Sequence, residues 1–291
     1  MRRHYPKRIR PILNRWYSAE LDDGAAPPVS QELWQQGANA KAVKTQAHIG
    51  EDFLIFTHTM LSGDPAVCSH ASPGCLSACV VSQAGMVKVF PQIREGRARL
   101  NRAYKANPER YLQQLADQHV SIVDRYHCFG LWRGNTGQDI PLAPAITIAN
   151  REIERRGLPR QIWYDYTAVK EYALDPTRPA NYHLCFSRKE NNSADCWEVL
   201  TAGGIVAVVF HQVGNYANHG AYKQRLPETW KVFGKEYPVY DGDQHDIRIP
   251  GLFDPPRPDN GEGYIVGLRL KGDYRGRQKA IETGFSLEVA S

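Results

Sequence analysis

Three features are absent from this 291-residue sequence, and each absence narrows the class of protein. No apolar run is long: one of the longest, residues 205–210, has the length of a strand and is far short of the ~20 residues a membrane helix needs. The first residues contain no apolar segment of the secretory type, so we expect no signal peptide. Neither a G-x-G-x-x-G nor a Walker A motif occurs, which leaves dinucleotide- and NTP-binding folds without support. We therefore expect a cytoplasmic protein with no membrane partner.

Acidic residues are absent from residues 1–19, which carry six basic side chains: Arg2, Arg3, Lys7, Arg8, Arg10 and Arg15. The remainder, residues 20–291, carries 30 basic and 31 acidic residues, so the formal net charge of +5 belongs to this first segment. We predict a basic N-terminal arm at 1–19, a lead-in segment at 20–50 and a single α/β barrel-like domain at 51–291. The arm can bind nucleic-acid phosphates without sequence preference, or it can be a solvated tail.

Six cysteines are present, and three of them lie within twelve residues of one predicted loop: Cys68, Cys75 and Cys79. In a reduced cytosolic setting, clustered cysteines indicate a metal site rather than a disulfide framework. Three thiolates at this spacing can ligate three irons of a [4Fe–4S] cluster and leave the fourth iron open for a substrate or cofactor. Structural zinc is the alternative, with His70 as a fourth ligand. The thiols can also simply stay reduced and bind no metal.

Strand-like and helix-like segments alternate from residue 53 onward. Strands are predicted at 53–57, 128–132, 161–165, 180–186, 205–210, 237–240 and 264–270. Helices are predicted at 87–126 (divided at Asn107-Pro108), 144–156 and 193–202, and a polar loop at 211–235. This alternation predicts an α/β fold with a parallel sheet, as a partial or complete (β/α) barrel in which the cysteine loop follows the first strand. A doubly wound open sheet is the main competing architecture.

Polar side chains follow each of the predicted strands. In parallel α/β folds the active site lies at the carboxyl ends of the strands, so these side chains are candidates for a site. We assign catalytic roles to six of them: Asp165, Ser187, Arg188, Asp243, His245 and Lys271. Three more are candidates for cofactor binding: Arg133, Asn135 and Tyr166. Each of these residues can instead be a cap or a loop hydrogen-bonder, because strand ends meet solvent in any fold.

Several short motifs occur together and in a fixed order: Cys68-x6-Cys75-x3-Cys79, Tyr164-Asp165-Tyr166-Thr167, Asn181-Tyr182-His183-Leu184, Phe186-Ser187-Arg188, Asp241-Gly242-Asp243 and Val266-Gly267-Leu268. Over residues 35–285 the chain resembles the bacteriophage gene-product-88-like family. The resemblance implies a phage or prophage gene whose product acts in the cytoplasm of the host cell.

A more distant similarity is to radical S-adenosylmethionine enzymes, which place three cysteines in the loop after the first strand of a partial (β/α) barrel. This similarity implies a radical-SAM-like fold, a [4Fe–4S] cluster and S-adenosylmethionine bound at the open iron. The Cx6Cx3C spacing of this sequence differs from the usual Cx3Cx2C of that superfamily.

Three functional hypotheses remain open. The first is an iron–sulfur enzyme of radical-SAM-like type whose substrate is unknown, with a nucleotide or nucleic acid as one option. The second is a zinc-stabilised, metal-dependent nucleic-acid-processing protein, in which a divalent ion is bound by Asp241, Asp243, His245 and Asp246. The third is a non-enzymatic phage factor that binds a host protein.

Overall fold

The structure, a computed structural model, describes residues 33–36, 45, 54–81, 86–212 and 225–289. The predicted basic arm at 1–19 lies outside the described residues, and so does most of the predicted lead-in segment at 20–50. Within the described ranges, no helix has both the length and the apolar character needed to cross a membrane.

The described residues form ten strands: β1 (Gln35–Gln36), β2 (Leu54–Thr57), β3 (Gly130–Arg133), β4 (Ile162–Thr167), β5 (Tyr182–Ser187), β6 (Ile205–His211), β7 (Thr229–Val232), β8 (Lys235–Asp241), β9 (Tyr264–Arg269) and β10 (Ser286–Glu288). They make one sheet in the order β1-β2-β3-β4-β5-β6-β9-β8-β7, and β10 pairs with β6. All pairs are parallel except β1–β2 and β7–β8 at the two edges. No pairing among the described residues joins β1 to β7, so this sheet is open.

The described residues also form eight helices: α1 (Pro73–Ser77), α2 (Met86–Val89), α3 (Pro91–Ala106), α4 (Pro108–Tyr126), α5 (Ala143–Arg155), α6 (Lys170–Leu174), α7 (Ser193–Thr201) and α8 (Tyr274–Glu282). The long predicted helical segment divides as expected at Asn107, because its side-chain oxygen caps α4 by accepting a 2.9 Å hydrogen bond from the amide of Arg110. Pro108 occupies the first turn of α4, where no intrahelical donor is needed.

The predicted α/β class with a parallel sheet is confirmed. All seven predicted strands are present, with their ends shifted by two residues or fewer, and the three predicted helical regions are present as α2–α4, α5 and α7. The predicted loop at 211–235 is wrong at β7, which turns into β8 through Phe233 and Gly234, both with positive φ (46° and 85°). Residues 213–224 of that predicted loop lie outside the described residues.

Each face of the sheet is covered by a different part of the chain. Alternate side chains of β2–β4, such as Phe56, Trp132 and Trp163, pack with residues of α4 and α5 in the largest core cluster. The opposite side chains, such as Leu131 and Tyr164, pack against Ile247 and Ile249 of the segment that joins β8 to β9. This segment, residues 242–263, therefore fills the face that the helices leave uncovered.

One edge of β6 is shared by two strands. β5 pairs with the first part of β6 as far as Ser187 opposite Ala207, and β10 pairs with the last part from Ser286 opposite Val209. β10 therefore continues the sheet where β5 ends, and it brings α8 and the end of the described chain to the carboxyl ends of the parallel strands.

Candidate functional site

The three clustered cysteines lie in the segment that follows β2, residues 58–81, which we call the cysteine loop. Helix α1 forms inside it because Pro73 occupies the first turn and Ser72 Oγ caps the helix, accepting a 3.2 Å hydrogen bond from the amide of Cys75. Cys68, Cys75 and Cys79 are all partly buried, and none of them is in a disulfide. In the structure these cysteines follow β2, beyond the carboxyl end of that parallel strand. Their metal-binding role stays a prediction.

Lys189, two residues beyond β5, is only 5% exposed, and it reaches into the cysteine loop. Its ammonium donates a hydrogen bond to the backbone oxygen of His70. Its charge also interacts with the thiols of Cys75 and Cys68 and with the carboxylate of Asp139. Three loops, after β2, β3 and β5, therefore bring these side chains together, and we call Cys68, Cys75, Cys79, Asp139 and Lys189 the thiol–lysine cluster.

Burial shifts the pKa values of four members of the thiol–lysine cluster: Cys68, Cys75, Asp139 and Lys189. It raises the pKa of the Cys75 thiol to about 11, against the opposing effect of the Lys189 charge, and it also raises the pKa of Cys68. It lowers the pKa of Lys189 and raises that of Asp139. Asp139 accepts hydrogen bonds through Oδ2 from the amide of Ala168 and the hydroxyl of Thr167, at 2.6 and 3.1 Å. Its Oδ1 is buried and has no hydrogen-bond partner among the described residues.

The donor chemistry of the cysteine loop fits a thiophilic metal, because one loop carries three free thiols, and thiolates are soft ligands. Their present arrangement is open. Within the described ranges, no three His, Cys, Asp or Glu side chains are grouped closely enough to hold a metal ion. Binding a metal or a cluster here would therefore require the loop to draw its thiols together.

Glu190, next to Lys189, fixes the start of helix α1. Its Oε2 accepts a 2.6 Å hydrogen bond from Ser72 Oγ, and its Oε1 accepts a 2.9 Å bond from the amide of Gly74. A side chain at position 74 would meet Glu190 and atoms of Thr283 and Phe285 within 3.1 Å, so only glycine allows this close packing. The loop after β5 thereby determines where the cysteine helix lies.

Asp165 and Asn135 join two neighbouring strand ends. Asp165 is fully buried on the helix-covered face, and its carboxylate accepts hydrogen bonds from the amides of Asn135 and Gly134 and from the hydroxyl of Tyr182, at 2.6, 3.3 and 3.2 Å. Burial raises the pKa of Asp165 to about 8. The side chain of Asn135 closes its own loop by bonding to the backbone of Ile140. Both residues have protein partners, and their catalytic and cofactor-binding roles stay predictions.

Arg133 and Tyr166 lie on the opposite face, against the segment that joins β8 to β9. The guanidinium of Arg133 pairs with Asp246 and lies 5.0 Å from the centre of the Tyr166 ring. Arg248, of which 1% is exposed, donates a 2.7 Å hydrogen bond to the hydroxyl of Tyr166 and pairs with Asp254 at 2.5 Å. The surface on which these two residues would meet a cofactor is thus covered by residues 246–254.

The aspartates after β8 are paired with cations. Arg269 contacts Asp241 at 2.7 Å and Asp243 at 3.3 Å, and Lys271 contacts Asp243 at 2.5 Å. The structure therefore brings together two of the predicted catalytic residues, Asp243 and Lys271. Because positive side chains surround these carboxylates, the cluster resembles a structural ion-pair network more than a site for a divalent cation.

Ser187, Arg188 and His245 have separate surroundings. The guanidinium of Arg188 donates hydrogen bonds to the backbone oxygens of Gly284 and Phe285, at 2.6 and 2.8 Å, and so fastens the chain just before β10. The backbone oxygen of Ser187 accepts a bond from the amide group of Asn192. His245 is buried, and its Nδ1 lies 3.0 Å from the backbone oxygen of Ile247.

Sequence reasoning did not assign roles to Lys189, Glu190 or Asp139. Lys189 and Glu190 stand among other polar residues after β5, where the sequence reads as an ordinary exposed loop. Both contact the cysteine loop, which lies more than a hundred residues earlier in the chain, and Lys189 is buried there. Their position in the sequence could have identified them as candidates, because Asp139 and Glu190 also follow parallel strands at the same edge of the sheet.

Comparison with known proteins identifies one family. The family model described as Gene product 88 matches residues 31–286, most of the chain. No curated protein and no solved structure matches, and nothing in these comparisons supports the more distant similarity to radical S-adenosylmethionine enzymes. The motifs of the cysteine loop and of strands β4–β6, β8 and β9 all lie within the matched range. The chain belongs to the Gene product 88 family, the phage family that its motifs indicated.

Proposed function

We propose that this phage-family protein is a metalloenzyme whose centre is an iron–sulfur cluster held by Cys68, Cys75 and Cys79. The observation that carries the proposal is the placement of three partly buried cysteines in one loop at the carboxyl edge of a parallel sheet, with the buried ammonium of Lys189 bonded to the backbone of that loop. When bound, a cluster with three protein ligands supplies one-electron chemistry and one open iron. The sequential order of the parallel strands β2–β6 supports the partial (β/α) barrel of this proposal. S-adenosylmethionine is proposed as the cofactor that the open iron would bind.

The residues around the cysteines have roles that follow from their charge. Lys189 supplies a buried positive charge beside thiolates that carry negative charge when they bind metal, so it stabilises the loaded form. Asp139 has one buried carboxylate oxygen without a partner among the described residues, and this oxygen can accept a proton or a hydrogen bond from a substrate. Cytoplasmic location in the host is part of the same proposal, because the reduced thiols are what the metal requires.

Anaerobic purification with metal analysis tests the proposal. We expect a brown protein with about four irons per chain. Cys75→Ala should lose the iron, whereas Cys128→Ala, which removes a partly buried thiol outside the loop, should retain it. A colourless protein with one zinc per chain would favour the zinc-stabilised nucleic-acid-processing protein instead. Fully folded, metal-free protein under these conditions would contradict both and leave the factor that binds a host protein.

A further inference from the structure

Helix α3 carries a local excess of positive charge. Its 16 residues include five basic side chains and one acid, Glu95, whereas residues 20–291 as a whole carry 30 basic and 31 acidic residues. Four of the five are exposed: Arg94, Arg99, Arg102 and Lys105. One helix is therefore strongly basic although the domain as a whole is nearly neutral. This helix is far in sequence from the basic arm at 1–19.

The basic side chains are held on a fixed ridge. In the second half of α3 the opposite side is buried through Leu100, Asn101 and Tyr104, which pack into the core. A helix of this length extends about 24 Å. Two of the exposed cations have partners, Arg102 with Glu95 and Lys105 with Asp64, and both pairs are at the surface, where such pairs contribute little and exchange readily. Because the apolar side of α3 is already used by the core, the helix cannot insert into a lipid surface.

Helix α3 is attached directly to the cysteine loop. The side chain of Asn101 forms two hydrogen bonds with the backbone of Leu61, at 2.9 and 3.0 Å. Arg97 donates a 3.1 Å hydrogen bond to the backbone oxygen of Val81. With the Lys105–Asp64 pair, these contacts tie the middle and the end of the helix to the loop. A long anion bound along α3 would therefore lie on a helix that is fixed to the segment carrying the cysteines.

Exposed apolar side chains lie where α3 begins. Phe90, at the N-cap position of α3, is 41% exposed, and its neighbour Val89 is 67% exposed. An exposed aromatic ring next to a row of arginines matches the two recognition elements of single-stranded nucleic acids, whose bases stack on rings while their phosphates contact cations. A duplex hides its bases from such a ring, so the arrangement favours a single strand.

We infer that α3 and Phe90 form a binding surface for single-stranded nucleic acid, which runs along the cysteine loop. Phosphates contact Arg94, Arg99, Arg102 and Lys105, and a base stacks on Phe90. This inference does not depend on the identity of the metal, so it can hold whether or not the proposed cluster forms.

The test is the binding of a fluorescently labelled single-stranded 20-nucleotide DNA or RNA to the full chain, followed by anisotropy over a range of salt concentrations. To isolate α3, the six basic residues of the arm are first replaced by glutamine. Four phosphate contacts to a single strand should give a plot of log K against log [salt] with a slope of about −2.8. Arg94→Gln/Arg99→Gln should reduce the slope to about −1.4 and weaken binding about 25-fold at 0.1 M salt.

Phe90→Ala gives a second, independent readout. Loss of one stacked base should weaken binding by about fivefold or more without changing the salt slope, because no charge is removed. Arg151→Gln/Arg160→Gln is the matched control, since it removes two exposed arginines elsewhere and should leave the binding unchanged. Circular dichroism confirms that each variant is folded.

Four results would overturn the inference. These are unchanged affinity in Arg94→Gln/Arg99→Gln, an equal loss in the control variant, binding of a duplex at least as tight as that of the single strand, and binding to vesicles containing anionic phosphatidylglycerol but not to oligonucleotides. Loss of all binding when the arm alone is neutralised would assign the affinity to residues 1–19 and would also refute the role of α3.

Discussion

Ser72 donates a 2.6 Å hydrogen bond from its hydroxyl to the carboxylate of Glu190, across 118 positions of sequence. The same hydroxyl caps helix α1, on which Cys75 lies. The position of that cysteine is therefore set by a side chain that is distant in sequence, because the Ser72 hydroxyl bonds both to Glu190 and to the amide of Cys75.

Removal of the Glu190 carboxylate should loosen the cysteine helix. Glu190→Ala loses two hydrogen bonds to a charged acceptor, and we expect the free energy of unfolding to fall by about 1–3 kcal/mol. Protection of the Gly74 amide against hydrogen exchange should fall with it, while Glu190→Gln should retain part of both. Glu228→Ala, which removes an exposed glutamate, is the control, and an equal effect in the two alanine variants would contradict the prediction.

Arg188 should be required for the attachment of β10. Arg188→Met keeps much of the side-chain volume but removes both hydrogen bonds to the Gly284 and Phe285 carbonyls, leaving those acceptors unsatisfied. We expect a loss of about 2–4 kcal/mol in urea denaturation and faster hydrogen exchange at Ser286–Glu288. Arg151→Met, at an exposed position of α5, should change neither quantity. Full protection of β10 in Arg188→Met would show that the strand is held by other contacts.

Two buried histidines should make the domain sensitive to acid. Burial lowers the pKa of His119 to about 3 and that of His58 to about 4, both from 6.5. His119 stacks on Trp163 at 4.6 Å, and neither of its ring nitrogens has a hydrogen-bond partner among the described residues. The unfolded chain therefore takes up these protons below pH 6.5 while the folded chain does not. Stability should be unaffected by them above pH 6.5 and fall by up to about 1.4 kcal/mol per pH unit for each histidine as the pH drops toward 4.

Denaturation at a series of pH values measures this effect. His119→Phe keeps an aromatic ring against Trp163. Between pH 6.5 and 4 it should reduce the slope of the unfolding free energy against pH by the amount that corresponds to about one bound proton. His127→Asn, which replaces an exposed histidine with positive φ by a residue that tolerates that conformation, should leave the slope unchanged. An unchanged slope in His119→Phe would mean that His119 is protonated equally in both states.

Gly263 should tolerate no side chain. A Cβ atom there would lie 1.8 Å from the backbone oxygen of Gly204, and two backbones cannot separate without breaking the start of the β6–β9 pair. Gly263→Ala should cost about 3 kcal/mol or more, measured by chemical or thermal denaturation. Gly96→Ala is the counterpart: its Cβ would meet only the mobile end of Arg99 at 3.9 Å, so the change should stabilise helix α3 by about 0.5–1 kcal/mol. Similar effects of the two substitutions would contradict this account.

The local parts of the fold were predictable from sequence. Asn107 and Pro108 mark a helix start by their own chemistry, and the apolar run at 205–210 gives a buried strand wherever it is placed. Strand β10 and helix α8 were not predicted. β10 has three residues, and α8 is rich in polar and charged side chains, so both depend on the edge of β6 and on helix α1 for their stability.

In the candidate site, too, the local features were predictable from sequence and the features that depend on distant residues were not. The cysteine spacing is local, and the segment that carries it follows the first parallel strand, whereas its metal-binding role stays a prediction. The environment of Asp165 depends on the face of β4 on which its side chain lies. In the structure its carboxylate lies on the face that the helices cover. The segment Asp246–Arg248 reads as a polar turn, yet it is buried, because its charges find partners on β3 and β4 that lie far away in sequence.

The strand order also constrains how the chain can fold. Strands β2–β6 each pair with their predecessor in sequence, so this half of the sheet can grow by successive additions. β8 precedes β9 in sequence, but in the sheet β9 lies between β6 and β8 and pairs with both. The β7–β8 hairpin can form early, because its contacts are local. A hairpin docked on β6 would occupy the edge that β9 takes in the native sheet, so the chain would have to release it before β9 could pair. The strand order therefore provides a non-native pairing that competes with the native one.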